Sequence, residues 1–176
     1  MNAAKLKKAE RWAATITDGL GKPIDAGIFE TVSALCALNI HTTGSCEGHV
    51  GWGIASPWVD ILSPAGVQVQ DKIMAFRRKT KDKGDIPDHL VRLRDAVISA
   101  NFSYAEKVLR LLEQFYRGRK TSYECRIIAE YRFDGGARLM CQGAEPNTHR
   151  SKTIKQANLK KYQKEFKDFT TFLLTH

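Results

Sequence analysis

The stretch Tyr123–Gln142, YECRIIAEYRFDGGARLMCQ, decides the fold class. Cys125, Ile127, Ala129, Tyr131 and Phe133 alternate with Glu124, Arg126, Ile128, Glu130 and Arg132. That period of two belongs to a strand with one buried face. Asp134-Gly135-Gly136 follows as a hairpin turn, because two adjacent glycines accept the positive φ angles a tight turn demands. Ala137–Gln142 then returns as the partner strand.

Outward from this hairpin the periodicity is mostly helical. Ala3–Thr17 carries Leu6, Ala9, Ala13 and Ile16 on one side, and Leu20-Gly21-Lys22-Pro23 breaks it. Asp25 stands where it can cap a second helix bearing Ile28, Val32, Leu35 and Cys36, with Asn39 as its stop. Ile40–Thr43 and Pro57–Leu62 read as two short strands on either side of a glycine-rich loop. Val67–Arg78 reads as a helix, Arg77–Asp85 as a basic linker, and Pro87–Ala100 as another helix. Ser103 is placed to cap a further helix with Val108, Leu109, Leu112 and Phe115 as its stripe. In a last helix, Lys155–Thr171, Tyr162, Phe166 and Phe169 face inward while Lys160, Lys161, Lys164 and Lys167 face water. The expectation is a single α+β domain over 1–176, with a flexible basic loop at 77–86. Its mainly antiparallel sheet would have about four strands, in two hairpin-like pairs covered by five or six helices.

Composition narrows the partners. With 43% hydrophobic residues, the 176-residue chain can build a real core. Lys+Arg 28 against Asp+Glu 19 leaves a formal charge of +9, a surplus that favours polyanions, chiefly nucleic acid, RNA included. Arg77, Arg78 and Lys79, with Arg117, Arg119 and Lys120, are the clusters placed to track a phosphate backbone. Met1–Trp12 is polar and lysine-rich, and no segment approaches the ~20 apolar residues of a membrane span. A soluble, cytoplasmic protein without membrane contact is therefore expected. The four cysteines, at 36, 46, 125 and 141, include no CxxC pair and read as thiols, metal ligands or a nucleophile. Cys36, within an apolar helix pattern, reads as packing.

The chemistry concentrates in His41–Asp60, HTTGSCEGHVGWGIASPWVD. Thr43, Gly44, Ser45, Glu47 and Gly48 suit a turn whose exposed amides hold an anion, and Trp52 and Trp58 flank it as stacking surfaces. Asp60 interrupts an apolar strand and so requires a partner, either His49 or an arginine such as Arg126, Arg132 or Arg138. Held by Asp60, His49 would serve a Cys46 nucleophile in a Cys–His–Asp arrangement. The competing chemistry is zinc, bound by His41, Cys46 and His49 with Cys141 or His149 as fourth ligand.

Ser45–His49 and Pro57–Asp60 resemble bacterial and phage-borne proteins that carry a Ser-Cys-Glu-Gly-His loop followed by Pro-Trp-Val-Asp. The likeness covers Asp25 to Ile61 and implies no particular activity. Thr43, Ser45, Cys46 and Gly48 are also faintly similar to the Thr/Ser-Ser-Cys-x-Gly-Arg turn of the tRNA wybutosine-synthesising methyltransferase family. His49 stands where that family has arginine, and Gly44 where it has serine. This second resemblance implies S-adenosylmethionine as cofactor and a modified tRNA as partner. The leading functional expectation is binding of nucleic acid or a nucleotide-like anionic ligand through the SCEGH loop and its basic surroundings. The alternatives are an RNA-modifying or cysteine-dependent enzyme, and a mobile-element accessory protein acting by protein–protein contact.

Overall fold

Both hairpin pairs join one sheet in the computed structural model, which describes residues 1–18, 20–81 and 85–176. Strands β1 (Thr42–Cys46), β2 (Trp58–Ile61), β3 (Ile127–Tyr131) and β4 (Ala137–Cys141) lie in the order β1-β2-β4-β3. Every neighbouring pair is antiparallel. Around the sheet run α1 (Ala3–Ala13), α2 (Ala26–Ala37), α3 (Pro64–Thr80), α4 (Asp88–Tyr116), the short α5 (Ala144–Thr148) and α6 (Lys152–Leu174). The fold is α+β. None of the described helices is long and apolar enough to cross a membrane.

Alternation along the strands separates two environments. Val59, Ile61, Ile127, Leu139 and Cys141 join one core with Ile28, Val32 and Leu35 of α2. Val108, Leu112 and Phe115 of α4, and Tyr162, Phe166, Phe169 and Leu173 of α6, complete it. On the other face, Asp60 lies opposite both Gly44 and Arg138, and Arg138 lies opposite Glu130. Asp60 is 8% exposed, and its partners are the arginines of the last hairpin rather than His49. Arg138 Nε donates to Oδ1 at 2.7 Å and Nη2 to Oδ2 at 2.9 Å, while Arg132 Nη1 donates to Oδ2 at 3.0 Å. The Arg138 guanidinium also lies over the Trp58 ring, 4.1 Å from its centroid. A carboxylate can stay in the sheet because both oxygens accept charge-assisted bonds there.

Several sequence expectations change in detail. Tyr123–Cys125 forms a 3-10 turn rather than the start of β3, and Tyr131 and Phe133 point outward, Phe133 with 80% of its surface exposed. α1 ends at Ala13, four residues short of Thr17, and α6 gains residues at both ends. Arg77, Arg78 and Lys79 are not a linker. They form the last turn of α3, where cations complement the C-terminal carbonyls, and Lys81 closes the helix at φ 52°. Of the expected basic loop, residues 82–84 lie outside the described residues.

The expected break at Ser103 is absent, and α4 runs unbroken for 29 residues. Asn101 explains why. Its side chain turns inward and bonds across the fold instead of to its own helix: Oδ1 accepts from Ser63 N (3.2 Å) and Ser63 Oγ (2.6 Å), and Nδ2 donates to the Asp134 carbonyl (2.7 Å). One buried amide thereby ties the β2–α3 corner to the turn of the last hairpin. Asn101 disfavours a helix only while its amide competes for local backbone, and here it does not.

Asp60→Ala is expected to destabilise the protein by about 2–4 kcal/mol, because it strands two arginine head groups. Added to that variant, Arg138→Ala should cost at least about 0.5 kcal/mol less than in the parent chain. A urea-unfolding double-mutant cycle measures the coupling.

Candidate functional site

The cysteine–histidine turn is built by an exchange of bonds between the start of α2 and the end of β1. Asp25 occupies the N-cap position of α2 but makes no side-chain cap there. Its Oδ2 instead accepts from the Glu47 amide (3.1 Å), and Glu47 Oε2 accepts from the Gly27 amide (2.8 Å) in the first turn of the helix. Each carboxylate satisfies the other segment's backbone. A helix N-terminus needs such acceptors, and two negative groups also suit its dipole. A Cβ at Gly27 would fall 2.7 Å from Glu47 Oε2, so any larger residue there would push the Glu47 carboxylate aside.

The turn then reverses at Gly48, with φ +87°. A Cβ at Gly48 would lie 2.7 Å from both Leu159 Cδ1 and the Ser56 carbonyl carbon, so the position is closed to any side chain. Gln163 Nε2 donates to the Glu47 carbonyl (3.1 Å), which fastens the turn to α6. The His49 amide donates to the Ile54 carbonyl (3.3 Å), and the His49 ring stacks on Trp52 at 4.0 Å and 17°. Trp52 is the outer member of that stack, 66% exposed.

This geometry engages three amides of the turn within the protein. The amides of Glu47, Gly48 and His49 already donate to the Asp25 carboxylate, to Cys46 Sγ (3.3 Å) and to the Ile54 carbonyl. Two carboxylates also sit within the turn. Gly48 packs against Ser56 and Leu159 and Glu47 is committed to Gly27, so neither presents itself to an anion. Ser45 is half-buried within β1, Thr43 borders the recess beside Asp60 and Arg132, and the Trp58 ring reaches over Gly44.

Cys46 and His49 do converge, but with Asp25 as the third member. Asp60 stays with its arginines. His49 Nε2 is buried, lies 3.5 Å from Asp25 Oδ2 and makes no hydrogen bond among the described residues. Burial and the neighbouring Asp25 push the Cys46 thiol above its ordinary pKa, against the opposing pull of the Gly48 amide. A nucleophilic cysteine needs the reverse, so the geometry does not supply a ready thiolate.

The expected zinc set is not assembled. Among the described residues, Asp25, Cys46 and His49 are the His, Cys, Asp and Glu donors close enough to share an ion, with ligand atoms all within 4.8 Å. Cys141 is sealed in the core, where burial raises its pKa strongly, and His149 is exposed at the end of α5. His41 lies 6.1 Å from Trp12 across a different concavity.

That concavity is a cleft of about 490 Å³ bordered by α1, α2 and the approach to β1. Lys5, Lys8 and Trp12 reach it from one face of α1, with Cys36, His41 and Tyr104 around them. His41 Nδ1 is buried without a hydrogen bond among the described residues, and burial lowers the pKa of the ring. The spacing Lys5-x-x-Lys8-x-x-x-Trp12, the signal in the sequence for this cleft, places all three on one side of a helix. The basic clusters divide as well. Arg119 is committed to Glu165 and Asp168, both at 3.3 Å, and lies over the Phe115 ring. None of the described carboxylates forms an ion pair with Arg77, Arg78, Lys79, Arg117 or Lys120.

No family model, curated protein or solved structure matches this chain. The site is therefore read from its geometry.

Gly48→Ala should destabilise the protein by about 2–4 kcal/mol, the sum of positive-φ strain and an overpacked contact; thermal or urea unfolding measures it. Brief exposure to iodoacetamide at neutral pH should label Cys46 more slowly than the unfolded chain does, as read by peptide mass spectrometry.

Proposed function

We propose that this protein binds a nucleotide-like anionic ligand, free or within a nucleic-acid strand, in the cleft that Lys5, Lys8 and Trp12 share with His41 and Tyr104. The observation that carries this reading is the lining of the cleft. Its volume of about 490 Å³ falls within the size range of small-molecule sites. The residues around it that carry full charge are both lysines, and the others offer apolar or aromatic surface. Such a lining suits a flat ring bearing a phosphate: Trp12 and Tyr104 supply stacking faces, and the ammonium groups meet the anion. His41, its pKa lowered by burial, adds an uncharged ring to the wall of the cleft.

The charge of +9 supports the same reading at longer range, because it attracts polyanions before any contact forms. In a strand complex, Arg77, Arg78 and Lys79 at the end of α3, with Arg117 and Lys120, would add phosphate contacts. Arg119 would add little, since its guanidinium already serves two carboxylates.

The test combines calorimetry with nucleoside monophosphates and triphosphates and fluorescence anisotropy with a labelled single-stranded RNA. Replacing Lys5 and Lys8 together by glutamate should weaken the bound species at least about tenfold. For a strand, the same change should reduce the slope of log K against log salt by about 1.4. Trp12→Ala should cost about 1–3 kcal/mol of binding, the usual worth of one stacked base. Binding of mononucleotides alone would identify a nucleotide site, and binding of the strand alone a nucleic-acid site. Neither binding, or binding indifferent to the lysine variants, overturns the proposal.

A further inference from the structure

We infer that Asp25, Cys46 and His49 form a binding site for a zinc-type divalent transition metal, with one coordination position left for water or an exogenous ligand. The site is distinct from the lysine-lined cleft, and its argument does not rest on that reading. Three observations carry it.

The first is convergence. One carboxylate oxygen, one sulfur and one imidazole nitrogen lie within 4.8 Å of one another. Tetrahedral zinc with Zn–S near 2.3 Å and Zn–N or Zn–O near 2.0 Å sets its ligand atoms roughly 3.3–3.8 Å apart. Side-chain adjustments of a fraction of an ångström to about an ångström would close the set around an ion, while the backbone stays in place. The three residues come from two segments fastened by the bonds of Glu47 to Asp25 and Gly27, so the approach of the ligands is built into the fold.

The second is the state of the imidazole. His49 Nε2 is buried and makes no hydrogen bond among the described residues, although it faces a carboxylate oxygen at 3.5 Å. A buried ring nitrogen ordinarily has a partner. A metal ion seated between Asp25, Cys46 and His49 supplies one.

The third is the support behind each donor. The Glu47 amide donates to Asp25 Oδ2, the Gly48 amide donates to Cys46 Sγ, and Trp52 stacks on the His49 ring. Outer groups that orient metal ligands in this manner are characteristic of metal sites. The donor types select the ion: thiolate with imidazole and one carboxylate suits zinc and excludes magnesium and calcium, which take oxygen ligands. As the metal–sulfur bond forms, the thiol proton passes to solvent, and Asp25, thiolate and a divalent ion sum to zero charge.

The full chain, stripped with a chelator and dialysed, should take up one zinc per chain in calorimetry and unfold at a higher temperature with zinc than without. Cobalt should show the sulfur-to-metal charge-transfer band and the intense visible bands of tetrahedral coordination. Cys46→Ser should abolish the charge-transfer band, and His49→Ala and Asp25→Asn should each weaken zinc binding by more than about tenfold. X-ray absorption of the zinc-loaded parent chain should show a single sulfur scatterer with nitrogen and oxygen neighbours, a reading that does not depend on any variant folding. Absence of stoichiometric uptake, a cobalt spectrum without the thiolate band, a first shell with no sulfur or several, or folded variants that bind zinc like the parent would each overturn the assignment.

Discussion

The reciprocal bonds of the Asp25 and Glu47 carboxylates to the Glu47 and Gly27 amides hold the start of α2 against the end of β1. Residues distant in sequence trade acceptors, the carboxylate of one for the amide of the other's segment, and a helix start becomes welded to a strand end. Helix termini always leave amides that need acceptors. Most helices answer with a local serine, threonine or aspartate side chain. Here the acceptor arrives from across the fold, so the demand of a helix end becomes a tertiary constraint. That constraint carries β1 on to Cys46, turns the chain at Gly48 beneath Leu159 of α6, and brings Asp25 beside the thiol and imidazole.

The consequence is electrostatic. A chain with a large positive surplus has two carboxylates, Asp25 and Glu47, at its glycine turn and two lysines, Lys5 and Lys8, at a separate cleft. The turn has its amides engaged in internal bonds and carries negative charge. The cleft has cationic and aromatic walls. His41 and Cys46 flank β1 at its two ends, one facing each environment. Asp60 belongs to neither place and balances the arginines of the last hairpin.

Much of the architecture was legible because it depends on local periodicity. The alternation of Ile127 with Ile128 and of Ala129 with Glu130, ended by Asp134-Gly135-Gly136, marks the hairpin in the sequence and in the structure alike. Asn39 stops α2 with φ 58°, a conformation asparagine tolerates better than most residues. Ser103 misled because a capping residue signals a helix start only where the chain has already broken. Asn101, two residues before it, shows no such break, its amide being held by Ser63 and Asp134. The basic run misled for a similar reason: charge and polarity are compatible with a linker and equally with the last turn of a helix.

By itself the sequence determined the α+β class, the antiparallel hairpins and the inward stripe of Tyr162, Phe166 and Phe169 on the last helix, while Ile16 and Leu109, expected on inward stripes, are exposed. Those features follow from rules that act over a few residues: a period of 2 or 3.6, a turn that needs glycine, an acid that needs a partner. Tertiary structure alone decided which partner each polar group takes. Asp60 was open to His49 or to arginine, and register across β2 and β4 gave it Arg138. His49 received Asp25, a residue whose sequence context speaks only of a helix cap, because the pairing joins segments with no shared periodicity. Hydrogen bonds and charges between distant segments are set by three-dimensional proximity, and proximity is a property of the packed chain.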